Sequence, residues 1–271
     1  MKFTRRNVLG LLAAGAFSLG VAAVCAPKPA SAATLDEIKS NGTIKVGMLV
    51  DFPPFGLMNT DGKPDGYDAD VAKLLAKNLG VKLDLVPVTG PNRIPYLLSG
   101  QVDVLVASLG ITEERAKRVT FSEPYAGISI AVFGLSDVDM SSAEKLSGHT
   151  IGVARASTQD TAITKIAPEG AKIQRFDDDA SAVQALLSGQ VEAIGASNTV
   201  IAQIEKVAGD RFNEKFGLSQ QVQGIAVHPG TKDLLASVNS FLGKVKADGE
   251  LDKIHQKWLK APLPKFVQDA R

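Results

Sequence analysis

The sequence has a single cysteine, Cys25, and only three histidines, at 149, 228 and 255, among 271 residues. That excludes a disulfide framework and leaves no Cys/His set at zinc-ligand spacing. Neither charge is in excess: 30 Lys and Arg stand against 29 Asp and Glu, so no field of one sign draws nucleic acid or an anionic membrane surface. Gly-x-Gly-x-x-Gly and Gly-Lys-Ser/Thr phosphate loops are missing, and no nucleophile stands at a telling spacing from a base. The acidic run Asp177-Asp178-Asp179 lacks the wider ligand spacing of a calcium loop and reads as a solvated turn. No metal or cofactor is expected. With 45% hydrophobic and 22% charged residues, the composition excludes a disordered chain, a collagen-like fibre and a multi-pass membrane protein.

Residues 1–32 read as an address. Lys2, Arg5 and Arg6 precede an apolar run over 8–24 that is short and Gly/Ala-rich for a membrane span. Ala30-Ser31-Ala32 offers the small residues a signal peptidase needs, predicting cleavage after Ala32. Thr4-Arg5-Arg6-Asn7-Val8-Leu9 resembles a twin-arginine signal, with Val8 in place of the usual Phe or Leu; a Sec signal with a basic start reads equally well. Without 1–32, 26 basic and 29 acidic residues remain and no cysteine. The predicted product is an exported, soluble periplasmic chain held by its core alone.

Strand and helix patterns alternate after that point. Strands are predicted over 44–49, 82–88, 102–107, 150–153, 172–176 and 192–196, and helices over 67–79, 158–166, 180–187, 232–247 and 251–259. This order argues an α/β fold with mainly parallel sheets. The segment 97–108 recurs 89 residues later as 186–197, identical at eight of twelve positions. Each copy reads as a helix that stops at glycine and feeds a strand ending in serine, Ser108 or Ser197. Two such lobes with strand ends face to face enclose a cleft, and ligands of open α/β sheets sit beyond the carboxyl ends of strands. The extended apolar stretches 128–133 and 225–227 flank the second copy and are the candidate crossings between lobes.

Several residues could carry chemistry there. After Ser108 comes Leu109-Gly110-Ile111-Thr112-Glu113-Glu114-Arg115, in which Thr112 is an N-cap for a helix starting at Glu113. Arg115 occupies the third helical position, where a cation opposes the helix dipole by a few tenths of a kcal/mol. It either pairs with Glu114 or Glu123, or bends toward a partner anion; a guanidinium beside the Gly110 N–H suits a carboxylate. Ser157 and Thr158 follow the 150–153 strand, either as a plain cap or as an anion-holding helix start. Asp51-Phe52-Pro53-Pro54-Phe55 is a rigid aromatic turn that belongs to the core or covers a ligand face.

The export signal, Pro53-Pro54-Phe55, Gly66-Tyr67-Asp68-Ala69-Asp70-Val71, Ile111-Thr112-Glu113-Glu114-Arg115 and Phe121-Ser122-Glu123-Pro124-Tyr125, in this order, resemble the family 3 solute-binding proteins, the periplasmic amino-acid-binding components of ABC importers. Gly224-Ile225-Ala226-Val227 and the run from Asp248 through Trp258 to Leu259 extend the resemblance over 33–260. It implies a two-lobed, type II periplasmic-binding-protein fold with two hinge crossings, near 127–130 and 223–226. Lobe 1 is then 33–127 with 226–271, lobe 2 is 128–225, and binding closes the cleft.

The resemblance also assigns roles. Arg115 matches the arginine that clamps the ligand α-carboxylate, with N–H groups from Gly110 and Thr158. Ser108 matches a residue whose carbonyl receives the α-ammonium, and Phe52 an aromatic packed on the ligand. Arg93 matches an arginine that acidic-amino-acid binders use for the side-chain carboxylate; their second arginine falls here at Leu49. Gly110 replaces the usual Ser or Thr, and the Asp that neutralises the ammonium falls at Ser197, beside Asn198, which leaves Asp51 or another carboxylate to restore that charge. The expected ligand is a small carboxylate-bearing solute, foremost a polar or acidic amino acid, between Arg115 and the Ser157-Thr158 turn. The expected partners are an inner-membrane ABC permease and its ATPase, for a monomeric protein that is not an enzyme. Two alternatives share the fold: a cyclohexadienyl dehydratase, for which Ser197 and Asn198 supply no proton donor of suitable pKa, and a sensory binding module for a carboxylate that is not an amino acid.

Overall fold

The computed structural model describes residues 33–270; the segment 1–32, predicted as an export signal, lies outside the described residues. Helix α1 (Leu35–Asn41) and strand β1 (Thr43–Leu49) lead through the short β2 (Asp51–Phe52), β3 (Gly56–Met58) and β4 (Pro64–Asp65) to α2 (Tyr67–Leu79), β5 (Lys82–Val88), α3 (Arg93–Leu98), β6 (Val104–Leu105) and α4 (Glu113–Ala116). The long β7 (Thr120–Leu135) is followed by β8 (Thr150–Ala154), α5 (Thr158–Ile166), β9 (Lys172–Phe176), α6 (Asp179–Leu187), β10 (Ala193–Ser197), α7 (Asn198–Ala208) and a second long strand, β11 (Phe212–Val227). Helices α8 (Lys232–Ala247), α9 (Glu250–Leu259) and α10 (Lys265–Gln268) follow. Among the described residues no helix is long and apolar enough to cross a membrane.

Two parallel three-stranded groups, β5-β1-β6 and β10-β8-β9, are joined through the antiparallel pair β11-β7. That ladder runs from Thr120 opposite Val227 to Leu135 opposite Phe212, and its register slips on either side of Gly224 and again between Gly217 and Ser219. Each slip bends the ribbon and increases its twist. The segments 127–130 and 223–226 lie inside these two strands, with Gln223 opposite Ala126.

Helix α2 shows how sequence aims a side chain. Its apolar residues at 3.6-residue spacing bury Tyr67, Val71, Leu75 and Leu79, and Gly80 ends it in the left-handed region at φ 73°. At its start the Tyr67 and Asp68 N–H groups donate to the Pro54 and Phe55 carbonyls, at 3.0 and 2.9 Å. Gly66 makes that docking possible: its φ is 128°, and a Cβ there would stand 2.4 Å from the Phe55 oxygen. Gly66→Ala is therefore expected to cost more than about 2 kcal/mol through strain and collision, read as a lower urea midpoint at unchanged slope.

The two repeat copies take the same form. Helices α3 and α6 stop at Leu98 and Leu187, Gly100 and Gly189 turn at φ 70° and 78°, and the chain enters β6 and β10. The strand predicted over 102–107 is regular at 104–105 and still bonds the β1 backbone through the Val106 N–H, which donates to the Gly47 carbonyl at 3.0 Å; beyond that point side chains take its polar groups. The Ala107 carbonyl accepts from Arg93 at 2.9 Å, and the Ser108 N–H donates to the Tyr125 hydroxyl at 3.1 Å.

Candidate functional site

The carboxyl ends of both parallel groups converge on one cavity of about 40 Å³. Leu49, Asp51 and Phe52 enter it from the end of β1 and from β2, Gly90 and Arg93 from beyond β5, and Ser108 from beyond β6. Arg115 comes from α4 and Ile128 from β7. The opposite wall is Ala154, Arg155, Ser157, Thr158 and Gln159 from the end of β8 and the start of α5, with Asp177, Asp178 and Asp179 between β9 and α6.

The arginines are the cavity's least compensated groups. Arg115 Nη1 donates to the Gly110 carbonyl and Nη2 to the Ala156 carbonyl, both at 2.8 Å, the second contact reaching the opposite wall. No carboxylate among the described residues lies within 4 Å of it: Glu114 pairs with Lys117, and Glu123 faces Lys246 at 3.9 Å. Burial, with the Arg93 charge nearby, pushes the Arg115 pKa down to about 9, so it stays a cation at neutral pH while seeking an anion. Arg93 is 5% exposed, and its hydrogen bond goes to the Ala107 carbonyl. Burial lowers its pKa too, against the attraction of Asp179, Tyr125, Asp51 and Asp68.

Ser108 owes its placement to a buried hub. Its backbone stands at φ 46°, where a residue with a Cβ is strained. Asp68, fully buried, accepts from the Ser108 hydroxyl at 2.9 Å and from the Tyr125 hydroxyl at 2.7 Å, and Tyr67 donates its hydroxyl to the Tyr125 carbonyl at 2.8 Å. Burial outweighs those donors and raises the Asp68 pKa to about 7. On the facing wall Ser157 caps α5 by accepting from the Asp160 N–H at 3.0 Å, while the first-turn N–H groups beside it have no intrahelical acceptor. Phe52 stacks on Phe55 with centroids 5.5 Å apart.

Of the residues singled out in the sequence, Asp51, Phe52, Arg93, Ser108, Arg115, Ser157 and Thr158 share this cavity. Leu109 is buried in the core instead. Gly110 does not line the cavity but is buried between the walls: a Cβ on it would stand 2.9 Å from Thr158 Cγ2. Ser197 and Asn198 do not reach the cavity. Ser197, fully buried, is spent as the N-cap of α7, accepting from the Val200 N–H at 3.3 Å and sharing a 2.9 Å contact with the Thr199 hydroxyl. Asn198 Oδ1 accepts from the Ser129 N–H on β7.

The acidic run also requires a correction. Asp177 is solvated as a turn residue would be, its side chain 89% exposed. Asp178, however, caps α6 through the Ser181 N–H at 2.6 Å, and Asp179 turns inward, where burial and the Asp51 charge raise its pKa to about 7. The available signal was position: the run follows a parallel strand and opens a helix, as Ser157-Thr158 does. Asp51 is raised too, by burial first and then by Asp178, and its Oδ1 is shut away from solvent without a hydrogen-bond partner.

The family model for bacterial extracellular solute-binding proteins, family 3, matches residues 44–261. The L-cystine-binding protein TcyJ of Escherichia coli K12 is 29% identical over 96% of this chain and 97% of its own. The ABC transporter glutamine-binding protein GlnH of Bacillus subtilis 168 is 36% identical over 87% and 88%. Among solved structures, the solute receptor for L-cysteine of Neisseria gonorrhoeae superposes with a TM-score of 0.78 at 32% identity, covering 84% of this chain and 94% of that one. The ancestral amino acid-binding protein AncCDT-1, a precursor of cyclohexadienyl dehydratase, does so at 0.75 and 34%, covering 83% and 98%. These relatives are binding proteins, and with them the chain is a binding protein rather than an enzyme, built on the two-lobed α/β fold. It belongs to the family 3 bacterial extracellular solute-binding proteins.

Proposed function

We propose that this protein captures a polar amino acid in its cleft, in the periplasm, and presents it to an inner-membrane ABC permease and its ATPase. The observation that carries this reading is Arg115: a desolvated guanidinium, bonded to two carbonyls and, among the described residues, to no carboxylate, beside the first-turn amides of α5. Two parallel bonds to a carboxylate suit it better than two neutral acceptors do. Ser108 offers its strained carbonyl to the ammonium, and Phe52 covers the aliphatic part. Because Asp51 and Asp179 already oppose Arg93, a neutral polar side chain fits better than an acidic one.

Lobe 1 is residues 33–127 with 226–271 and lobe 2 is 128–225, hinged where the β7–β11 ladder slips around Gly224. Besides Arg115 to Ala156, further bonds tie the lobes, among them Gln203 on α7, which donates to the Pro53 carbonyl at 2.6 Å, and Gln221 on β11, which donates to the Ile111 carbonyl at 2.8 Å. A thermal-shift panel tests the reading. The twenty amino acids, their deaminated analogues, dicarboxylates and neutral sugars would be compared, since a ligand that binds only the folded state raises the midpoint. A shift with one or a few polar amino acids is expected. Shifts by sugars with none by any carboxylate would overturn the Arg115 argument.

A further inference from the structure

We propose that the positive pole of the bound solute is held by a carboxylate pair drawn from both lobes, Asp51 on β2 and Asp179 at the start of α6, so that cleft closure itself assembles the cation subsite. The inference rests on the amino-acid reading above and supplies the second carboxylate for the ammonium, whose counter-charge the sequence assigned only to Asp51 or an unplaced acid. Ser197 cannot take it, being buried under α7 as its cap. Asp51 and Asp179 both line the cavity. The Oδ1 of Asp51 is enclosed with no donor, and the Asp179 side chain makes no hydrogen bond or ion pair among the described residues. The Asp51 charge adds to burial in raising the Asp179 pKa, and Asp51 is itself raised by burial and by the neighbouring Asp178, the behaviour of like charges brought close together.

An independent observation shows that the space expects a dipolar guest. Arg93 is 95% buried against the same cavity, yet among the described residues its guanidinium makes only the one bond to the Ala107 carbonyl and has no carboxylate within 4 Å. The enclosed site thus holds an unused acceptor and unused donors together. A ligand whose carboxylate goes to Arg115, and which also carries a protonated amine and a neutral acceptor for Arg93, satisfies both, and its cation removes the repulsion that opposes closing Asp179 onto Asp51. A ligand with the carboxylate alone leaves that repulsion in place. The class selected is therefore an amine-bearing acid over an amine-free one.

The test is titration calorimetry at pH 7.5 with matched pairs: L-glutamine against glutaramate, and L-cysteine against 3-mercaptopropionate, on the wild-type protein, Asp179→Asn and Asp51→Asn. The wild type is expected to prefer the amine-bearing member by 30-fold or more. Asp179→Asn, which keeps the shape of the side chain, is expected to cut that preference at least tenfold, and Asp51→Asn to do the same. An unchanged preference in both variants would place the ammonium elsewhere and overturn the subsite alone. An equal loss for both members of a pair would reduce the two aspartates to a structural role and overturn it as well. If no member of either pair, and none of the other amino acids, binds the wild type, the amino-acid reading fails and the subsite fails with it.

Discussion

Arg115→Ala is expected to weaken binding of the cognate amino acid by about 30-fold or more. Truncating one partner of a buried, hydrogen-bonded charge pair typically costs about 2–5 kcal/mol, and about 1.4 kcal/mol is a factor of ten. The ligand-free protein should scarcely notice the change, because the guanidinium it loses is desolvated and lacks a counter-ion in that state. Its thermal midpoint should hold or rise. Arg115→Lys keeps the charge but not the planar fork, so it should recover only part of the affinity. Isothermal titration separates these outcomes; an affinity within threefold of wild type for the alanine variant would remove Arg115 from the site.

Asp68→Ala is expected to show the largest loss of stability. It would strand the Tyr125 and Ser108 hydroxyls, which donate to Asp68 at 2.7 and 2.9 Å in a fully buried setting. Two unsatisfied buried donors cost about 2–5 kcal/mol, a fall of roughly 5 °C or more in midpoint for a chain of this size. Asp68→Asn keeps an acceptor and should lose less. The same carboxyl gives the wild type a pH signature. Its native pKa, about 7, lies above the ordinary 3.8, as does that of Asp179. The folded state therefore holds protons that the unfolded state has released, and stability falls as pH rises from about 4 to about 7. Calorimetric scans of the ligand-free protein should show that decline, and a shallower one in Asp68→Asn. A midpoint that rises across this window would contradict the placement of both acids.

Much of this molecule was legible in its sequence. The helices 67–79, 158–166 and 232–247 and the strands 82–88 and 172–176 stand where periodicity, capping and glycine stops put them, because each is a local pattern with a local stop. The repeat at 97–108 and 186–197 does form equivalent helix–glycine–strand units. Their final serines diverge, for reasons no local pattern carries. Ser108 is pulled into the left-handed region by Asp68 and Tyr125, 40 and 17 residues away, whereas Ser197 runs straight into a helix and caps it. The charges at the negative pole were harder to see. A triple aspartate reads as a solvated turn, and only the closing of α6 against β2 turns its third member inward.

The crystal structure of the complex with the amino acid that gives the largest thermal shift tests the central claim most directly. The account predicts the solute between the two walls, its carboxylate on the Arg115 guanidinium and the first-turn amides of α5, and its amine nearest Asp51 and Asp179. A solute bound with its carboxylate away from Arg115, or bound outside this cavity altogether, would contradict it.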